Sequence, residues 1–206
     1  MPEKNLPHQI KNAVKLKSIH LILGGWLLVV SLLMNGSTPP SSWAPETSYR
    51  GISNYHNDRM GISTSAMNDL RANLNFTQIR FHCSKQQRRT FHVTTFANSS
   101  GEAVVQYFSG QTDVLPSSCN SYQRLEGDNS QLAMQCDQWG NDGSHYVGKW
   151  GHYKIHGENR MYNHAAFIAH KNHWVVDNGN WLCDDDDDDG SNYKLSLGDF
   201  WKIYVR

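Results

Sequence analysis

The chain has 206 residues, the size of one ordinary domain with or without a tail, which excludes a multidomain machine. Hydrophobic residues make up 38% and aromatics 11%, with seven Trp and nine Tyr, enough for an aromatic core and too much for global disorder. Nineteen Lys and Arg balance nineteen Asp and Glu, which excludes the strongly basic surface of a dedicated nucleic-acid binder.

Lys4, Lys11, Lys15 and Lys17 stand against Glu3 alone before the run LILGGWLLVVSLLM, Leu21 to Met34, which carries no charge. A basic leader ahead of an apolar block reads as an export segment over residues 1–37, with the apolar stretch at 19–34. As a helix its fourteen uncharged residues would span about 21 Å, short of the roughly 30 Å hydrocarbon core, which favours a secretory signal. An uncleaved signal-anchor is the competing reading, because no clean small-x-small cleavage site follows. The chain would then touch the membrane through this segment alone and display its C-terminal part outside. A buried core helix is the third reading, disfavoured by the polar, Pro-rich run that follows. The part beyond residue 37 holds fifteen basic and eighteen acidic residues.

Residues 38–60 are rich in Pro, Ser and Asn without apolar periodicity and read as a linker, so the domain is expected over 61–206. Met67 and Leu70 suggest a short helix over 65–72, closed by Asn73. Ile79, Phe81 and Cys83 alternate with Arg80 and His82, and Phe91 to Thr94 repeats the pattern, predicting two strands joined by a turn at 85–89. The β-branched and aromatic run Val104 to Phe108, bounded by Gly101 and Gly110, predicts a third strand. Asp128 or Ser130 could cap a short helix that turns Leu132, Met134 and Cys136 inward. Five glycines among polar and aromatic residues make 139–160 an ordered, irregular loop region. Trp174 to Asp177, Asn178-Gly179 and Asn180 to Cys183 predict a type I′ hairpin in which Val176 faces Trp181. Trp201, Ile203 and Val205 alternate with Phe200, Lys202 and Tyr204 in a closing strand. These elements predict an α+β, β-rich single domain, stapled by disulfides, with a mostly antiparallel sheet and one or two short helices.

Cys83, Cys119, Cys136 and Cys183 form an even set without a C-x-x-C pair, which in an exported chain reads as two disulfides rather than a zinc site. Of the three possible pairings, Cys119 with Cys136 and Cys83 with Cys183 are favoured, the first flanking a short segment and the second sitting at predicted strand ends. Asn75 and Asn98 head glycosylation sequons. Asp184, Asp185, Asp186, Asp187, Asp188 and Asp189 are consecutive carboxylates. Such a run could bind calcium, but it lacks the shaped spacing of a cation loop and is read as a solvated loop, so no cofactor is required. His152 with His156 and His170 with His173 have helical spacing, but no H-E-x-x-H frame accompanies them, and structural histidines are the better reading. No nucleophile or phosphate-loop motif is present. Trp139, Tyr146, Trp150, Tyr153 and Tyr162 lie in the glycine-rich stretch. Flat amphipathic rings there suit either a glycan- or protein-binding surface or a core poor in aliphatics.

The order QIRFHCSK, TFHVTT, GEAVVQYFSG, SSCNSY, DNSQLAMQCDQWG, WLCDD and GDFWKIYVR resembles an extracellular module of cnidarian proteins, including coral skeletal-matrix-type proteins. The closing GDFWKIYVR is similar to the end of intelectin and fibrinogen-like domains, without their calcium-site patterns. The resemblance implies a secreted or cell-surface protein and supplies no catalytic residues. The sequence therefore predicts a non-enzymatic binding or matrix module for a glycan or an extracellular protein. A secreted hydrolase, or a type II membrane protein displaying a lectin-like domain, is the alternative.

Overall fold

The apolar run near the N-terminus folds as strand. In the computed structural model, which describes residues 21–22, 25–38, 43–53, 59–177, 180–186 and 195–206, the chain forms β1 (Leu21–Ile22), β2 (Trp26–Leu33), β3 (Arg59–Gly61), helix α1 (Thr64–Leu74), β4 (Ile79–Ser84) and β5 (Thr90–Thr95). Helix α2 (Ser99–Phe108), β6 (Tyr122–Arg124), β7 (Asn163–Phe167), β8 (Asn172–Asp177), β9 (Asn180–Asp186) and β10 (Phe200–Val205) follow. One antiparallel sheet has the order β1-β2-β10-β4-β5-β6, with β3 also paired to β2, and a second has the order β7-β8-β9.

Strand β2 is interior. Along one edge it pairs with β10, Leu32 opposite Trp201 and Val30 opposite Ile203, and its other edge is shared by β1 and β3. Val29, Val30 and Leu32 are fully buried. The apolar part of the expected export segment thus lies in the sheet over 26–33, since a short uninterrupted apolar run suits a buried strand as well as a helix, while residues 1–20 of that segment lie outside the described residues. Among the described residues no helix is long and apolar enough to cross a membrane. The expected linker is also partly built in, since β3 adds to the sheet and Glu46 bridges to Ile62.

Val104 to Phe108 is helical, which corrects the strand expected there. Asn98 caps α2 by accepting the Gly101 N–H at 3.0 Å, and Val104, Val105, Tyr107 and Phe108 supply its buried face. Gly101 is obligatory, because a Cβ there would lie 1.9 Å from the Phe96 carbonyl oxygen. Helix α1 is capped by Ser63 and closed by Asn75 in the left-handed region, where Asn is among the tolerated residues. In place of the helix expected after Ser130, two 3-10 turns form, Leu132–Met134 and Cys136–Gln138, and Met134 points outward at 56% exposure.

The predicted strands at 79–83, 91–94 and 200–206 form as β4, β5 and β10 and lie side by side in the order β10-β4-β5. Their inward residues, Ile79, Phe81, Cys83, Phe91, Val93, Trp201 and Ile203, are fully buried. Strands β8 and β9 place Val176 opposite Trp181 and Asp177 opposite Asn180, the register that the hairpin pattern predicts, while Asn178 and Gly179 lie outside the described residues. Phe81 meets Phe108 of α2 at 5.2 Å, Trp150 at 5.3 Å and Trp174 of β8 at 5.3 Å, so one ring joins both sheets, a helix and the loop region. Cys83 of β4 is bonded to Cys183 of β9, and Cys119 to Cys136.

On the outward face of the first sheet, His82 and His92 sit opposite each other and stack at 3.8 Å. Arg80 donates to His92 Nε2 at 2.8 Å, so His92 Nδ1 carries the proton toward the Glu126 carbonyl. Burial, then the neighbouring His92, Arg80 and Lys202 charges, pushes the His82 pKa down to about 3. Burial lowers His92 as well.

Two outcomes follow from this architecture. A chain starting at residue 38 lacks β2; full burial of Val29, Val30 and Leu32 alone stabilises by about 1.5–3 kcal/mol each, against a total of about 5–15 kcal/mol for a domain. Near-ultraviolet circular dichroism should therefore show that this truncation has no fixed tertiary packing, whereas the chain from residue 21 keeps it. The second outcome concerns pH. The unfolded chain protonates His82 and His92 near 6.5 while the folded chain resists, so stability is highest above that pH and is lost as pH falls toward 3. Urea midpoints measured from pH 7 to pH 4 should fall less steeply for His82→Phe than for the parent.

Candidate functional site

The five loop aromatics divide between core and surface. Trp139 and Trp150 are fully buried, 4.9 Å apart and edge to face, and Tyr122 stacks on Trp139 at 5.0 Å. Their polar handles are satisfied internally: Trp139 Nε1 donates to the Leu132 carbonyl at 2.7 Å and Trp150 Nε1 to Ser121 Oγ at 2.9 Å. Tyr162 is buried too and donates to the Ile62 carbonyl at 2.7 Å, with burial raising its hydroxyl well above the ordinary value. These three rings fill the core and cannot meet a ligand. Close backbone approach explains a glycine between them: Gly140 has φ +72°, and a Cβ there would lie 2.1 Å from the Lys149 carbonyl oxygen.

Tyr146 and Tyr153 remain at the surface, Tyr146 with 44% exposure. They belong to one ring cluster. His152 stacks on Tyr153 at 4.9 Å and on Phe167 at 5.6 Å, Tyr146 sets its edge to Phe167 at 6.1 Å and to His170 at 6.4 Å, and His164 meets Phe167 at 5.1 Å. Phe167, itself buried at the end of β7, is the post around which the others gather. The loop that brings Tyr146 here is held by two Asx turns. Asn141 Oδ1 accepts the Gly143 N–H at 2.7 Å, and Asp142 Oδ1 accepts the Ser144 and His145 N–H groups at 3.0 and 3.1 Å. The His145 and Ser144 bonds hold the Asp142 carboxyl below its usual range, and Lys149 adds to this. Lys154 lies over the Tyr153 ring at 5.2 Å. Burial lowers the His152 imidazole, and Lys154 and His156 push the same way, so at neutral pH this ring is a neutral plate whose Nδ1 accepts the Lys154 backbone N–H at 3.1 Å and whose Nε2–H is a donor. His164 and His170 have φ of +52° and +53°, a conformation uncommon outside glycine, in which histidine is among the enriched exceptions.

Flat faces of Tyr and imidazole, backed by a buried ring and bordered by one Lys, can stack on a sugar or an aromatic side chain and hydrogen-bond hydroxyls or amides. The spaced histidine pairs do not share a helix: His173 is buried on β8, while His156 and His170 are exposed. Among the described residues no three His, Cys, Asp or Glu side chains converge on a point where a metal ion could sit.

The acidic run is not a solvated loop where it begins. Asp184 and Asp185 lie in β9 and are buried, Asp184 without any exposure. The Asp184 carboxylate takes the Arg89 guanidinium and the N–H groups of Gln131 and Leu132, at 2.9 and 2.7 Å. Asp185 takes the Lys85 ammonium, with Arg88 at 4.0 Å. Burial raises both carboxyls, against the pull of these cations and N–H donors. Asp187, Asp188 and Asp189 lie outside the described residues, as does the side chain of Asp186. Sequence reasoning missed this cluster because Lys85 and Arg89 are 100 and 95 positions away.

Asn75 and Asn98 are both exposed at helix ends. Comparison with known proteins found no matching family model, no similar curated protein and no similar solved structure. The assignment of function therefore rests on the geometry above.

Removing one partner of a buried ion pair costs about 3–5 kcal/mol. Asp184→Asn and Asp185→Asn should each lower the melting midpoint by several degrees in a thermal scan. Asp188→Asn and Asp189→Asn, made for comparison, supply the reference for a general effect of removing one negative charge.

Proposed function

We propose that the chain is a non-enzymatic extracellular binding module that recognises a glycan or a protein through the Tyr146–Tyr153 ring surface. The observation that carries this is the ring cluster built on buried Phe167, in which exposed Tyr146 and half-buried His152 and His164 contact Phe167, and half-buried Tyr153 and exposed His170 extend it through His152 and Tyr146. Rings held by their neighbours lose little conformational freedom on contact, which is what makes aromatic surfaces efficient binders. Two disulfides fit an extracellular or other oxidising environment. A secreted protein of this kind would carry N-linked glycans at Asn75 and Asn98, whose exposure leaves them open to modification. The resemblance to cnidarian extracellular modules agrees with the same reading.

The test is a glycan and extracellular-protein array probed with the oxidised full chain, run beside a broad hydrolase panel. Binding should be saturable and should weaken by about tenfold or more in the Tyr146→Ala, Tyr153→Ala double variant, the loss typical of interface anchors. Its melting temperature should stay close to the parent's, because both rings lie at the surface. Turnover of a hydrolase substrate without saturable binding to any arrayed component would reject the proposal.

A further inference from the structure

A second concavity lies at the start of strand β7, next to Asn163. It has a volume of about 150 Å³ and is lined by Trp43, Pro45, Asn159, Asn163, Val176 and Asp177. Pockets for drug-sized ligands run to roughly 300–1,000 Å³, so this one admits a single small ring.

Its wall is built rather than incidental. The Trp43 indole is braced edge-on against buried Tyr162, 4.7 Å between centroids with the planes at 73°. Both rings close over Gly61: a Cβ at that position would lie 2.8 Å from the Tyr162 hydroxyl and 2.9 Å from Trp43 Cζ2. Glycine at the end of β3 is what lets the indole seat here. In the same lining Asn163 Nδ2 donates to Asp177 Oδ2 at 2.8 Å, which fixes the orientation of that amide and joins β7 to the end of β8. Asn159 stands at the rim, and its backbone carbonyl takes the N–H groups of Tyr162 and Asn163 at 2.9 and 3.1 Å, so the turn that carries it is anchored to the same strand.

The chemistry of this lining is specific. An indole plate attracts the C–H face of a saturated ring. A carboxylate accepts hydrogen bonds only, while the two carboxamides both donate and accept. That combination matches a ring whose edge carries several hydroxyls, each a donor and an acceptor at once. It suits a flat aromatic ligand less well, since such a ligand brings few donors. A quaternary ammonium could use the indole and the carboxylate, but it would make no hydrogen bond to the Asn159 carboxamide or to the remaining N–H of Asn163. We infer that the Trp43–Asn163–Asp177 pocket is a subsite for one neutral pyranose residue, with the sugar stacked on Trp43 and its hydroxyls held by Asp177, Asn163 and Asn159. The inference stands apart from the ring surface, since none of these residues belongs to it. Asn163 links the two sites, because its Oδ1 contacts His164 Nδ1.

The experiment is ligand-observed saturation-transfer NMR on the oxidised full chain. The probes are methyl pyranosides of neutral hexoses and of N-acetylhexosamines, with tetramethylammonium and benzyl alcohol as competitors of different chemistry. At least one pyranoside should bind with a dissociation constant of about 1 mM, the weak range expected of a single small ring, and its ring C–H protons should receive the strongest saturation. Trp43→Ala should weaken this by about tenfold or more. Asp177→Asn and Asn159→Ala, which leave the indole and the core in place, should each weaken it severalfold and keep the parent's melting temperature. Tyr146→Ala should leave it unchanged, which separates this pocket from the ring surface. The inference is overturned if no pyranoside binds, if binding survives in folded Asp177→Asn and Asn159→Ala variants, or if tetramethylammonium or benzyl alcohol binds more tightly than every sugar.

Discussion

Among the described residues the two sheets share no paired strand, and their alignment depends on a seam where the end of β4 meets the middle of β9. Cys83 and Cys183 are covalently joined there across 100 positions of chain. Directly beyond, Asp184 and Asp185 reach back to Arg89 and Lys85 in the turn that follows β4. In the loop-entropy account, closing about 100 residues removes freedom worth about 4–5 kcal/mol from the unfolded chain. The ions contribute differently. Two carboxylates taken out of water are costly unless fully partnered, and here Asp184 also satisfies the N–H groups of Gln131 and Leu132. The seam thus positions the 3-10 turns behind Trp139, whose indole donates to the Leu132 carbonyl. Both candidate sites inherit their placement from it, because β7 hangs on β8 and β8 on β9.

Aromatic rings do in this core what aliphatic side chains do elsewhere. Phe81 is in contact with three other rings drawn from different elements, and the buried indoles find hydrogen-bond acceptors in backbone or a serine hydroxyl. Such a core demands particular geometry, since each N–H must meet its partner as the ring seats. It also explains two glycines of the 139–160 stretch as spacers for rings, since a Cβ at Gly143 would meet Tyr153 and one at Gly151 would meet Tyr107.

The parts legible in the sequence were those governed by local pattern. Alternation disclosed β4, β5 and β10, and the Asn-Gly pair between β-rich runs disclosed the register of Val176 and Trp181. Where the pattern was ambiguous, the reading failed: Val104-Val105 carries β propensity although Asn98 and Gly101 had already set up a helix. The other failures were non-local. Nothing near Asp184 announces Arg89, and a tyrosine or tryptophan in a loop does not reveal whether a neighbour from a distant strand will cover it. Composition left the five loop aromatics undivided, and only the tertiary structure separated Tyr146 and Tyr153 from the buried three. Trp43 was passed over because it stands in a stretch that reads as linker.

The pairing of β2 with β10 sets a timetable for biosynthesis. Residues 26–33 leave the ribosome roughly 170 positions before their partner along one whole edge, residues 200–205, a gap of about ten to thirty seconds at ordinary rates of synthesis. For that interval β2 has only the short strands β1 and β3 to pair with, and the Cys83–Cys183 bond cannot form until late in the same window. Exposed apolar surface during that window is what makes partly synthesised chains prone to association, so the late arrival of β10 and the hydrophobicity of β2 act together.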